Sequence, residues 1–140
     1  MAKIRHIAMT TRNVRATADI FKAAFGMIKI PQRPNSPVEA ATLSDGSINV
    51  TLLGWKDDRY GGGSPGLHHF GFRVGDPDAA EGSLTGLGAR ELSEHNRTYG
   101  NLRGTPARRV GEKKWPTPDG VAIDVNQDGW VIRPGGEPAE

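Results

Sequence analysis

The chain has 140 residues, 36% of them hydrophobic and 24% charged, with a formal net charge of +2 at pH 7. It contains no cysteine, which excludes disulfides, thiolate metal sites, iron–sulfur clusters and cysteine nucleophiles. No apolar run reaches the roughly 18–20 residues of a membrane span, and the small positive charge argues against a nucleic-acid partner.

Read in chain order, residues 3–10 carry Ile4, Ile7 and Met9 among His6, Ala8 and Thr10, alternating from residue 6 onward, which predicts a strand. Asn13 fits a helix N-cap. Val14, Ala18, Phe21 and Phe25 then form one apolar stripe, and Gly26 fits the position just past the helix. Short strands are expected at 27–31, 38–44 and 47–54, with a turn at Asp45-Gly46. A further strand is expected at 67–74. Asp76 caps a second helix that opens on Pro77 and carries a stripe of Ala80, Leu84 and Leu87. Strands are expected near 89–93, 109–116 and 121–126. Residues 93–108 read as a mobile polar loop and 132–140 as a disordered tail. The N-terminus has no long apolar run of the kind that marks a secretory leader, so a cytoplasmic location is expected.

The chain repeats itself. Ile4–Met9 aligns with Leu67–Phe72 at an offset of 63 residues, and a helical pattern ending in glycine follows each. Asp45-Gly46 followed by Ile48-Asn49-Val50 has its counterpart in Asp119-Gly120 followed by Ile123-Asp124-Val125, with one extra residue in the turn. The organisation is one α+β domain, residues 1–131, built from two tandem βαβββ modules at about 3–54 and 67–126.

Alternate side chains of a strand share a face. If the helices cover the apolar faces, the opposite faces carry His6, Ala8 and Thr10; Asn49 and Thr51; His69, Gly71 and Arg73; and Asp124 and Asn126. A lone strand histidine is more often hydrogen-bonded or solvated than a ligand, and His68-His69 is a common kind of surface doublet. The repeat raises the joint weight of His6, Asn49, His69 and Asp124, because polar ligand types recur at related positions. Two imidazoles and a carboxylate, with an amide oxygen, suit a divalent ion.

These residues resemble the vicinal oxygen chelate superfamily, which includes glyoxalase I, methylmalonyl-CoA epimerase, extradiol dioxygenases and bleomycin and fosfomycin resistance proteins. The resemblance rests on IRHIAMTTRNVRATADIFKAAFGM, LSDGSINVTLL, LHHFGFRVGDPDAA and TPDGVAIDVNQDGW. It implies a curled mixed-sheet cup, completed across a homodimer, and one divalent metal (Fe, Mn, Ni, Zn or Co) held by His6, Asn49, His69 and Asp124. Asn49 and Asp124 stand where glyoxalases of this type carry Glu, so a second proton-moving carboxylate is missing. The resemblance implies a metal-dependent lyase or isomerase of a small carbonyl or thioester substrate, with Asp124 as the catalytic carboxylate. Two alternatives stay open: an Fe(II) ring-cleaving dioxygenase using His6, His69 and Asp124, and a protein that only binds an antibiotic or metabolite. Arg73 is the candidate anion contact, with Thr51 on the same type of face; Trp115 and Tyr60 read equally as pocket walls or as core or rim packing. Residues 90–114 carry seven Arg and Lys against three Glu; a solvated loop or a lid for an anionic small molecule would both explain that excess.

Overall fold

The computed structural model describes residues 1–31, 39–54, 65–92 and 113–127. The loop at 93–108, Tyr60 and the tail at 132–140 lie outside the described residues. The chain divides into two compact units, one formed by the described residues of 5–68, the other by those of 1–4 and 69–127. Among the described residues there is no helix long and apolar enough to cross a membrane.

In the first unit, β1 (Lys3–Thr10) is followed by α1 (Val14–Phe25), β2 (Ile28–Ile30), β3 (Glu39–Ser44) and β4 (Asn49–Gly54). Pairing runs β2-β3-β4-β1, with β2, β3 and β4 antiparallel and β4 parallel to β1. Asn13 caps α1 by accepting the Ala16 N–H at 2.9 Å, and Gly26 ends it at φ 66°, a left-handed conformation that glycine adopts without steric cost. The β3–β4 turn is built by Asp45, whose Oδ1 accepts from the Ser47 and Ile48 N–H groups at 2.7 Å, with Gly46 at φ 90°. Val14 and Ala18 of α1 pack on Ala41, Leu43 and Leu52. Burying each of the two leucines contributes about 1.5–3 kcal/mol. Phe25 departs from the expected stripe: it is 68% exposed. Its ring lies against Phe21, centroids 6.0 Å apart, at the rim beyond the buried cluster.

In the second unit the order is β5 (Gly66–Arg73, entering from the first unit), α2 (Pro77–Gly86), β6 (Lys113–Pro116) and β7 (Ala122–Asn126). β5 runs parallel to β7 and β7 antiparallel to β6. Asp76 Oδ1 accepts from the Ala79 N–H at 3.0 Å, and Pro77 opens the helix as expected. The β6–β7 turn is built differently: Thr117 Oγ1 accepts from the Val121 N–H at 3.0 Å and the Thr117 carbonyl from the Gly120 N–H at 2.9 Å, with Gly120 at φ 85°. Both units thus mix parallel and antiparallel strands beside one helix.

Two expectations are corrected here. Leu87 lies past the end of α2 and is 86% exposed. No strand forms over 89–92. There the chain is tied to the helix end, with the Ala89 N–H bonded to the Leu84 carbonyl, and Leu92 makes a single backbone bond to Lys114.

Candidate functional site

Cross-strand neighbours in register share a face, so the pairings define polar rows. In the first unit, His6 lies opposite Asn49, which lies opposite Ser44. All three are buried. The next row on that face is Ala8, Thr51 and Thr42, where the two threonine hydroxyls share a 3.0 Å hydrogen bond.

The second unit has the same two rows with different chemistry. His69 lies opposite Ala122 and Ala122 opposite Pro116. Gly71, Asp124 and Lys114 form the next row. Asp124 is 0% and Lys114 3% exposed. The Lys114 Nζ donates to Asp124 Oδ1 at 2.5 Å, and the His69 Nε2 stands 3.2 Å from Oδ2. One buried carboxylate therefore has an ammonium on one oxygen and an imidazole nitrogen beside the other. Arg73 follows on the same face, opposite Asn126.

The registers revise the expected repeat. Taking His6 and His69 as equivalent, Asn49 corresponds to Ala122 and Thr51 corresponds to Asp124. Asn49 remains beside His6 but is not the counterpart of the carboxylate. The sequence alignment slipped by two because it allowed one extra residue between Asp-Gly and the following strand in the second module, whereas Asp119 stands one residue nearer Ala122 than Asp45 does to Asn49. Trp115 is also reassigned. It pairs with Ile123, one residue out of phase with the Lys114–Asp124 pair. It therefore lies on the other side of β6, with Lys113, whose ammonium meets Glu81 of α2. Trp115 is buried under the helix side of the sheet and does not wall the Asp124 face.

Lys114 escaped the sequence reading because it sat inside a run of basic residues. No local count gives its partner: a two-residue turn on Asp119-Gly120 would set Lys114 opposite Val125, whereas the observed five-residue connection sets it opposite Asp124.

The chain belongs to the Glyoxalase/Bleomycin resistance protein/Dioxygenase superfamily, whose pattern it matches over residues 3–125. Its fold is the glyoxalase-like fold of several solved structures. Methylmalonyl-CoA epimerase from Mycobacterium tuberculosis superposes with a TM-score of 0.62 at 18% identity, covering 89% of this chain and 86% of that one. A Streptomyces coelicolor methylmalonyl-CoA epimerase variant in complex with 2-nitronate-propionyl-CoA gives 0.61 at 22% identity, covering 94% and 98%. A hypothetical protein from Bacillus halodurans C-125 gives 0.63 at 14% identity, covering 95% and 99%. No match is found among curated proteins.

Proposed function

We propose that this protein is a divalent-metal-dependent isomerase or lyase acting on a small carbonyl or acyl-thioester substrate that presents two neighbouring oxygens. The observation that carries the reading is the His69–Asp124 pair. Two donors about 2.1 Å from one first-row ion lie roughly 3.0–3.4 Å apart, and these two buried donor atoms are 3.2 Å apart. His69 and Asp124 would hold the ion together with His6, a buried histidine at the equivalent place in the other module. The neutral fourth position falls to Thr51 by register or to Asn49 beside His6.

When bound, the ion supplies a Lewis acid for the two substrate oxygens. Asp124 is the carboxylate in position to move a proton. Arg73, on the face of His69, offers a guanidinium to an anionic group of the substrate. Membership of a superfamily whose fold is shared by methylmalonyl-CoA epimerases supports the isomerase form.

The test pairs elemental analysis with deuterium exchange at the α-carbon of methylmalonyl-CoA in D2O, on cobalt-loaded wild type and His69→Ala. The expected result is about one ion per chain and exchange in wild type, with both lost in the variant. A folded wild type that takes up no divalent ion overturns the reading in favour of a metabolite-binding protein. A loaded protein that consumes oxygen with catechols instead would establish the ring-cleaving alternative.

A further inference from the structure

We propose that Lys114 is the resident counter-ion of Asp124 and sets the metal affinity of the site by competing for the carboxylate. The inference rests on the metal reading above.

Four observations lead to it. The ammonium and the carboxylate are both buried, 3% and 0% exposed, so the lysine is not there for solubility. Nζ donates to Oδ1 at 2.5 Å, and Oδ2 is the oxygen 3.2 Å from the His69 Nε2. The contact is a directly opposed cross-strand pair on β6 and β7, so it is held by the ladder rather than by a flexible loop. Finally, the first unit carries a neutral hydroxyl pair, Thr42 and Thr51, at the equivalent register positions. One module holds a charge pair where the other holds none.

The neighbouring lysine sharpens the point. Lys113 takes the ordinary role, reaching out at 2.7 Å to Glu81 with its side chain 47% exposed. Only Lys114 turns inward. A buried ammonium on a metal-binding carboxylate acts in two ways. It repels a divalent ion approaching the same carboxylate, an effect that a low-dielectric interior strengthens. It also limits Asp124 to one oxygen for the ion, where a carboxylate without that partner can offer both. The same ammonium keeps the carboxylate compensated when no ion is bound, so the unit does not depend on metal to satisfy a buried charge.

The experiment measures Co2+ binding to metal-stripped wild type, Lys114→Met and Lys114→Gln by titration calorimetry, with thermal unfolding followed with and without Co2+. Lys114→Gln keeps a donor for Oδ1 without the charge and serves where Lys114→Met does not fold. The expected result is about tenfold or tighter Co2+ binding in the variants than in wild type. The stripped variants should also melt below stripped wild type, with a larger rise in Tm on adding Co2+. Co2+ binding that is equal to or weaker than wild type in a folded variant overturns the role of Lys114 and leaves the metal reading standing. Absence of Co2+ binding in wild type and both variants overturns the two together.

Discussion

Lys113 and Lys114 are consecutive residues whose ammonium groups end on opposite sides of one strand, the first on Glu81 of the helix and the second on Asp124 of the neighbouring strand. Strand alternation alone produces this division. It turns what reads as a basic doublet into a surface ion pair and a buried one, with different energetics and different uses.

The buried pair predicts a large single-mutant cost. Asp124→Asn removes the carboxylate beneath a desolvated ammonium and should destabilise the protein by about 3–5 kcal/mol in urea unfolding. Pairing it with Lys114→Met should recover a substantial part of the loss, because both charges then leave together. Equal destabilisation in the single and double variants would show that the pair is not energetically coupled.

The surface pair predicts a small effect with a defined pH dependence. The hydrogen bond to Glu81 is the main cause raising the Lys113 pKa above its ordinary 10.5, with burial opposing it and the charges of Glu81, Glu91 and Asp78 assisting. Because the folded value lies above the unfolded one, the pair's contribution is complete below about pH 10.5 and fades as pH rises through the folded value. Glu81→Gln should therefore cost about 0.5 kcal/mol at pH 7, discounted for exposure, and nothing relative to wild type once Lys113 is neutral. A penalty unchanged at high pH would assign the role of Glu81 to packing.

Gly54 predicts a steric coupling. A Cβ there would sit 2.9 Å from Val14 Cγ2, and overpacking of this kind costs about 1–3 kcal/mol. Gly54→Ala should lower stability by that amount in wild type and by clearly less in a Val14→Ala background. Additive costs in the double-mutant cycle would place the strain elsewhere.

Self-association is the fourth expectation. Ile20, Phe25 and Ile28 of the first unit are 58%, 68% and 47% exposed, apolar side chains that a second copy of the chain would cover. Light scattering should report about 30 kDa, twice the 15.0 kDa of one chain. A mass of one chain at all concentrations would argue for a monomer.

Element identity was legible wherever a local signal was strong. Asn13, Gly26, Asp76 and Pro77 sit at the helix ends where their chemistry placed them, and both Asp-Gly turns form. The faces of β1, β4, β5 and β7 followed from simple alternation. What alternation could not supply was register. Whether Asn49 or Thr51 matches Asp124 depends on how β4 and β7 slide against β1 and β5, and parallel pairing leaves no short turn to count from. The sides taken by Trp115 and Lys114 depend on the five-residue length of the β6–β7 connection, which the Asp119-Gly120 pair alone does not reveal, so Trp115 read equally as a pocket wall or as packing. Phe25 matched the helical period and still ended outside, because periodicity marks a face and not where the supporting sheet stops.

The spacing of the contacts around Asp124 also implies an order of assembly. Lys114 and Asp124 are 10 residues apart and joined by a tight turn, whereas Gly71, Asp124's partner in the β5–β7 ladder, is 53 positions away in the chain. Closing the shorter loop costs about 1.5 kcal/mol less in chain entropy, and hairpins form in microseconds. That difference favours pairing of Asp124 with Lys114 before β5 arrives, so that the carboxylate would enter the interior already compensated. Pulse-labelling hydrogen exchange during refolding should find the amides of 113–116 and 122–126 that bond within the hairpin protected ahead of those linking β5 to β7.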